Sequence, residues 1–140
     1  MGGRGTITRL ECIALVFLLL TVGWGATMIL GDVSSSSALR NRKRWEDIHS
    51  LENALVLYAL EHDGRYPEGI GETPTFVCQQ DASSCEGILA LKALIPRYLG
   101  HIPTDPFAVG VRETFYTVHR EGKQLIVAAP YAEGEEGIRV

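Results

Sequence analysis

The sequence has little positive charge after residue 44. From Trp45 to the carboxyl terminus it contains seven lysines and arginines against fifteen aspartates and glutamates. A surface with this excess of negative charge is unsuited to nucleic acid, because phosphate binding needs clustered lysine and arginine. We therefore expect no nucleic-acid partner.

The sequence also lacks the motifs of common catalytic sites. It has no glycine-rich phosphate loop and no serine in a nucleophile elbow. Its four histidines stand apart, without the paired spacing of a metal-binding helix. We therefore expect a protein that is not an enzyme and that needs no cofactor. The histidines are His49, His62, His101 and His119.

Charged residues are absent from the nineteen residues between Cys12 and Leu30. A helix of this length spans about 28 Å, close to the ~30 Å hydrocarbon core of a bilayer. Three interpretations stay open, namely a permanent membrane anchor, a cleaved secretory signal peptide and an assembly helix that leaves the membrane. A basic cluster follows this apolar run and predicts a contact with lipid headgroups. The cluster consists of Arg40, Arg42, Lys43 and Arg44.

Cysteine is scarce, with three residues in the chain. Cys12 begins the apolar run, whereas Cys78 and Cys85 lie close together in a polar stretch. Such a pair in a small exported domain predicts a disulfide. A zinc site is the alternative, but it would need a second pair of ligands, which the neighbouring sequence does not offer.

An amphipathic helix is predicted from Trp45 to His62. Apolar residues recur there at steps of three and four, which is typical of a helix that buries one face. Gly64 suits the left-handed position after a helix, and Pro67 prevents the helix from resuming. The buried stripe is expected to contain Ile48, Leu51, Leu55, Tyr58 and His62, with Leu57 and Leu60 widening it against a sheet.

The remainder of the chain predicts a small α+β domain. Residues 114–119 and 123–129 read as two strands joined at Glu121-Gly122. The spacing at 87–99 predicts a short helix, and the acidic tail at 133–140 is expected to be mobile at its end. We divide the chain into an apolar amino-terminal segment, 1–31, and an amphipathic helix with an α+β head, 32–140.

Several short motifs follow one another in a characteristic order. In this order and spacing the chain resembles type IV pilin-like proteins, most closely the major pseudopilins of type II secretion systems. The resemblance covers nearly the whole chain and implies a long amino-terminal helix packed on a small antiparallel sheet. The motifs are Asp47-Ile48, Ala54-Leu55, Tyr58, Gly64-Arg65-Tyr66-Pro67, Ile102-Pro-Thr-Asp-Pro106, Phe115-Tyr116 and Leu125-Ile126-Val127.

The resemblance implies a structural subunit of a type IV pilus-like or pseudopilus filament. Like subunits would assemble through the apolar helix, with an inner-membrane assembly platform and a prepilin peptidase as partners. The protomer would cross the inner membrane once, with its head outside the cytoplasm, before entering a periplasmic or extracellular filament. The alternative is a membrane-anchored binding module that does not polymerise.

The leader departs from the family pattern. Prepilins are cut after a glycine and before a phenylalanine, with a glutamate at the fifth mature position. Here Gly5 precedes Thr6, and Glu11 would be the sixth mature residue. In the family this glutamate pairs with a neighbour's terminal amine, since a lone carboxylate in hydrocarbon is costly. If Met1 is retained, Arg4 or Arg9 is the alternative partner for Glu11.

Calcium is the one cofactor that the resemblance allows. Major pseudopilins hold calcium in a late loop, and calcium takes carboxylate oxygens as ligands. The candidate ligands in this chain are Asp105, Glu133, Glu135 and Glu136.

Overall fold

The computed structural model describes residues 9–134 and 137–140, and it describes side chains from residue 36 onward and at 14 and 18–20. Helix α1 runs from Arg9 to Glu61 without a break. The chain divides into two compact units, Met1–Ala38 and Leu39–Val140. The predicted division after residue 31 lies earlier in the same helix.

The second unit contains an antiparallel sheet. Its order is β1-β2-β3-β4 in the described part of the chain, so each strand lies beside its neighbour in sequence. The predicted hairpin is confirmed, because Glu121 pairs with Gln124 across the turn at Gly122. A helix and one antiparallel sheet make the α+β class correct at this level. The strands are β1 (Thr75–Cys78), β2 (Glu113–Glu121), β3 (Gln124–Ala129) and β4 (Ile138–Arg139).

The core lies between the second part of α1 and one face of the sheet. Ile48, Leu51 and Leu55 are fully buried, as the helical spacing predicted. Burying one such side chain contributes roughly 1.5–3 kcal/mol, which makes this face the main stabilising element of the unit. The same cluster includes Val77, Leu89, Leu91, Leu94, Tyr116, Val118, Leu125, Val127 and Ala129.

The end of α1 is a left-handed turn. The Gly64 N–H donates to the Ala59 carbonyl at 2.8 Å, which is the pattern of a Schellman motif. Gly64 has φ +79°, as predicted, but Asp63 before it is also left-handed, with φ +56°. Aspartate tolerates this conformation better than most residues. The helix is therefore stopped by two successive residues.

The apolar stripe of α1 is narrower than predicted. Leu57 and Leu60 do not widen it, since their exposures are 51% and 74%. Trp45 is exposed as well, at 44%. Helical geometry explains the difference, because these residues lie on the side of α1 that faces away from the sheet.

The predicted helix at 87–99 is wrong. Only Lys92–Leu94 forms a short 3-10 helix. The Leu89 N–H donates to the Phe76 carbonyl, and the Leu89 carbonyl accepts from the Cys78 N–H, both at 2.8 Å. These bonds to the edge of β1 use the backbone groups that a helix would need.

The carboxyl-terminal tail also differs from the prediction. Ala129 pairs with Ile138, so the end of the chain forms β4 at the edge of the sheet. The Val140 N–H continues the pairing with a bond to the Val127 carbonyl at 2.9 Å. Residues 138–140 are therefore part of the sheet.

Candidate functional site

A buried ion cluster joins α1 to two distant loops. Arg40, Asn41 and Arg44 lie within about one turn of α1 and on one side of it. The Arg44 side chain has no exposed surface, and neither does the Asp105 carboxylate that it meets. Arg44 Nε donates to Asp105 Oδ2 at 2.6 Å, and Nη2 donates to Oδ1 at 3.2 Å. This two-point bond fixes the orientation of the guanidinium as well as its position.

Glu133 is the second carboxylate of the cluster. Arg40 Nε and Nη2 each donate to one of its oxygens at 2.7 Å, and Arg44 Nη1 donates at 3.2 Å. Asn41 holds the backbone of the same residue, since Nδ2 donates to the Glu133 carbonyl at 2.6 Å and Oδ1 accepts its N–H at 3.1 Å. Helix α1 therefore holds both the side chain and the main chain of Glu133.

The electrostatics follow from these contacts. The hydrogen bond from Arg40, with that from Arg44 behind it, lowers the pKa of Glu133 to about 2. The hydrogen bond to Asp105 raises the pKa of Arg44, against the opposing effect of burial. Arg40, Arg44 and Glu133 are consequently charged at neutral pH.

A second polar contact lies beside this cluster. The Tyr116 hydroxyl, on β2, donates to Asp47 Oδ2 at 2.8 Å, and Lys43 Nζ donates to the two oxygens at 2.9 and 3.0 Å. Burial raises the pKa of Tyr116, and the bond to Asp47 raises it further. The aspartate of the Asp47-Ile48 motif thus connects the helix to the middle of the sheet.

The lipid-headgroup interpretation of the basic cluster is wrong for Arg40 and Arg44. Arg44 is buried, and both guanidiniums are bonded to carboxylates within the protein. Arg42 and Lys43 remain on the surface, paired along the helix with Glu46 and Asp47. A positive run in a sequence cannot reveal which members turn inward, because their partners lie far along the chain.

Phe107 covers the outer side of the cluster. The guanidinium carbons of Arg40 and Arg44 each lie 5.1 Å from the centre of its ring. Contacts of this kind are favourable because the face of an aromatic ring is electronegative. Half of the Phe107 surface still faces solvent.

The structure brings two of the four predicted calcium ligands together. Asp105 and Glu133 meet at Arg44, and the charges of Arg44 and Arg40 together balance the two carboxylates. Glu135 and Glu136 lie outside the described residues. No group of three or more potential metal ligands occurs within the described ranges. A calcium site therefore stays a prediction.

The predicted disulfide is confirmed. Cys78, the last residue of β1, is bonded to Cys85 with an S–S distance of 2.02 Å. The bond closes the polar loop that follows β1.

The predicted processing residues cannot be placed. Gly5 and Thr6 lie outside the described residues, and Glu11 is described only through the backbone of α1. Within residues 9–134 and 137–140, no helix meets the combined length and apolarity required to cross a bilayer. The span proposed for residues 12–30 stays a prediction.

His62 packs against a neighbouring aromatic ring, and His119 is buried in the sheet. His62 stacks on Tyr58 at 3.8 Å between ring centres, and its Nδ1 lies 2.7 Å from the Tyr58 carbonyl. His119 is 92% buried, and its Nδ1 has no hydrogen-bond partner among the described residues.

The ion cluster can act as a clamp between α1 and the two loops that carry Asp105 and Glu133. Its cations and carboxylates are bonded to each other, so the cluster serves to orient α1 against these two loops. Comparison of the chain with known protein families, with curated proteins and with solved structures finds no match.

Proposed function

We propose that this protein is a structural subunit of a filament of the type IV pilus or type II secretion pseudopilus kind. The observation that carries the proposal is the apolar surface of α1 opposite its buried face. Val56, Leu57 and Leu60 are exposed there by 40%, 51% and 74%. In an isolated monomer such a stripe contributes no stabilising burial, whereas helices that assemble side by side would remove it from water.

Two further features support the proposal. The apolar run from Cys12 to Leu30 precedes this stripe in the sequence, so both apolar surfaces belong to one helix. The disulfide between Cys78 and Cys85 is typical of proteins that fold in an oxidising compartment, as a head outside the cytoplasm would. A protomer would wait in the inner membrane, be processed by a peptidase and be moved into the filament by an assembly platform.

The mature amino terminus tests the route of assembly. Mass spectrometry of the protein from its native membrane is expected to find a chain that begins at Thr6. An intact Met1 would contradict processing by a prepilin peptidase. Electron microscopy of the sheared surface fraction, with an antibody to the head, is expected to show fibres that contain the chain.

The apolar stripe tests assembly directly. Replacing Leu60 by aspartate is expected to abolish fibres and to leave the thermal unfolding of the head unchanged, because the side chain is already exposed. Thr73→Asp, which adds the same charge at an exposed loop position outside α1, is the matched control and should leave fibres intact. Fibres that persist in Leu60→Asp would contradict the proposal.

A cluster of aromatic rings favours the second candidate, an anchored binding module. Phe76, Phe115 and Tyr131 have ring centres 4.9–6.4 Å apart. Phe115 has φ +66°, an unfavourable conformation for a bulky residue inside a strand, and such strain is frequent at functional surfaces. This candidate predicts monomers in detergent, no fibres, and loss of partner binding in Tyr131→Ser.

A further inference from the structure

A groove of about 510 Å³ lies along the edge of the sheet at β1. Its walls are residue 75 at the start of β1, the segment 87–90 that follows the disulfide loop, and residues 68–69 after the end of α1. This volume lies within the ~300–1,000 Å³ of clefts that bind ligands in other proteins. All three walls belong to the second unit, so the groove is complete within one folded body.

The segment 87–90 forms the outer edge of the sheet at this point. Leu89 makes a parallel bridge to Val77, and its N–H and carbonyl are both bonded to β1. In an extended chain the backbone groups of the next residue point to the other side. Ala90 therefore directs its N–H and carbonyl away from β1, and neither group has a hydrogen-bond partner among the described residues. Ala90 thus offers the donor and the acceptor that one residue of an added antiparallel strand would use.

Two glycines keep the walls of the groove free of side chains. Gly69 and Gly87 have φ +93° and +77°, a left-handed conformation that glycine adopts without strain. A Cβ atom at Gly69 would lie 3.0 Å from Leu89 Cδ1, so this wall has no room for a side chain. A Cβ atom at Gly87 would meet nothing within 4 Å, so the space beside it is open. Because glycine lets another backbone approach closely, the groove is suited to a main chain.

The charge of the groove indicates which side chain the occupant carries. Glu68 is the one charged residue among the described residues that line it, and it is exposed without an ionic partner in the described part of the chain. Glu86, next to Gly87, is exposed and unpaired in the same sense. Lys92 follows Ala90 by two residues but does not line the groove. Unpaired carboxylates attract lysine or arginine on a partner and disfavour an acidic one.

We infer that this groove binds an extended peptide segment that carries a lysine or arginine and adds to the sheet as a strand beside residues 88–90. The backbone of the segment pairs with Ala90, and its basic side chain reaches Glu68. Main-chain hydrogen bonds supply affinity in this mode of recognition, and the side chains supply selectivity. The inference goes beyond filament assembly and does not depend on it, because none of these residues belongs to the exposed stripe of α1.

The test measures binding of short synthetic peptides to the full-length chain in detergent micelles, by fluorescence anisotropy. The first peptide is capped at both ends, alternates threonine with valine and has a central arginine. The second has glutamate in place of the arginine. The third keeps the arginine but is N-methylated at alternate residues, which removes the N–H groups that strand addition needs. The second and third peptides are each expected to bind about tenfold more weakly than the first, the equivalent of one hydrogen bond to a charged group or of the lost backbone pairing.

Two variants of the protein test the same contacts from the other side. Ala90→Pro removes an N–H that bonds nothing among the described residues, so it should weaken binding of the arginine peptide about tenfold while the thermal unfolding of the head stays unchanged. Glu68→Gln should reduce the preference for arginine over glutamate and leave the effect of N-methylation in place. Glu72→Gln is the matched control, since Glu72 is exposed but does not line the groove, and it should bind like the parent protein.

Three results would overturn the inference. Binding that tolerates both N-methylation and Ala90→Pro would exclude strand addition, and equal binding of the arginine and glutamate peptides would exclude the role of Glu68. If no peptide binds and the chain instead self-associates in the ultracentrifuge in a way that Ala90→Pro abolishes, the occupant is a second copy of the chain. None of these results bears on the fibres tested with Leu60→Asp, so the groove and the filament fail or stand separately.

Discussion

Arg44 is a buried cation whose carboxylate partners lie 61 and 89 residues further along the chain. Replacing it by methionine preserves much of the volume but leaves the buried Asp105 carboxylate without its partner. Loss of one partner of a buried pair costs about 3–5 kcal/mol of unfolding free energy. Urea denaturation of the head should therefore show a loss of this size.

The control for this prediction is Arg42→Met. Its partner, Glu46, is one turn away on the surface, and exposed pairs of this kind contribute about 0.5 kcal/mol or less. Equal losses in the two variants would contradict the assignment of Arg44 to a buried pair. The double variant Arg44→Met with Asp105→Leu should recover part of the loss, because it no longer buries an unpaired charge.

Glu133 makes the stability of the folded protein depend on pH. Its pKa falls from 4.5 to about 2 on folding, so the folded state favours the ionised form. The stability that results is fully present above pH 4.5 and is lost as the pH falls toward 2. Thermal unfolding between pH 5 and pH 2 is expected to show a declining midpoint whose slope is smaller in Glu133→Gln.

The control is Glu86→Gln, an exposed glutamate with no ionic partner in the described part of the chain. It should keep the slope of the parent protein. Identical slopes in the parent and in Glu133→Gln would contradict the lowered pKa of Glu133 and its pairing with Arg40 and Arg44.

The end of α1 depends on backbone conformation more than on contacts. A Cβ atom at Gly64 would meet nothing within 4 Å, yet φ is +79°. Gly64→Ala should therefore cost about 1–2 kcal/mol, which is the left-handed penalty for a residue with a Cβ atom. Gly71→Ala is the matched control, because that site is equally open but not left-handed, and the change there should be neutral or slightly stabilising.

The sequence predicted those elements whose signals are local. The second part of α1 repeats every three to four residues, and the β2–β3 hairpin alternates around a turn at Gly122, so both could be recognised. Strand β1 has four residues between Pro74 and a polar loop, and β4 has two, which is too short for a period to appear. The helix predicted at 87–99 was wrong because the apolar spacing there suits a helix, whereas the backbone of Leu89 forms hydrogen bonds with β1.

The candidate site was the least predictable part of the fold. The disulfide could be expected because its cysteines are near neighbours in the sequence. The pairs that join Arg44 to Asp105 and Glu133 leave no mark in spacing or composition, since one partner lies on a helix and the other in a loop. The predicted headgroup contact reflected the same limit, because four basic residues within five positions look alike until their partners are known.

At the level of the whole molecule, the second unit should fold without the first. A chain that starts at Leu39 retains the core, the ion cluster and the disulfide. It is expected to unfold in one cooperative transition, measured by circular dichroism in urea. A chain that starts at Trp45 lacks Arg40, Asn41 and Arg44, and should be clearly less stable although it keeps the apolar core. Equal stability of the two fragments would show that the cluster contributes little.

The separation of 89 residues between Arg44 and Glu133 also affects the order in which the chain can fold. While the chain is being made, the helix that carries Arg44 emerges before the Asp105 loop and the β2–β3 hairpin that covers Ile48, and well before Glu133. Loop closure across so many residues is slow, because its entropy cost precedes any gain from contacts. The newborn helix therefore remains without these tertiary partners until the later segments have emerged, and a chaperone that shields it would act in that interval.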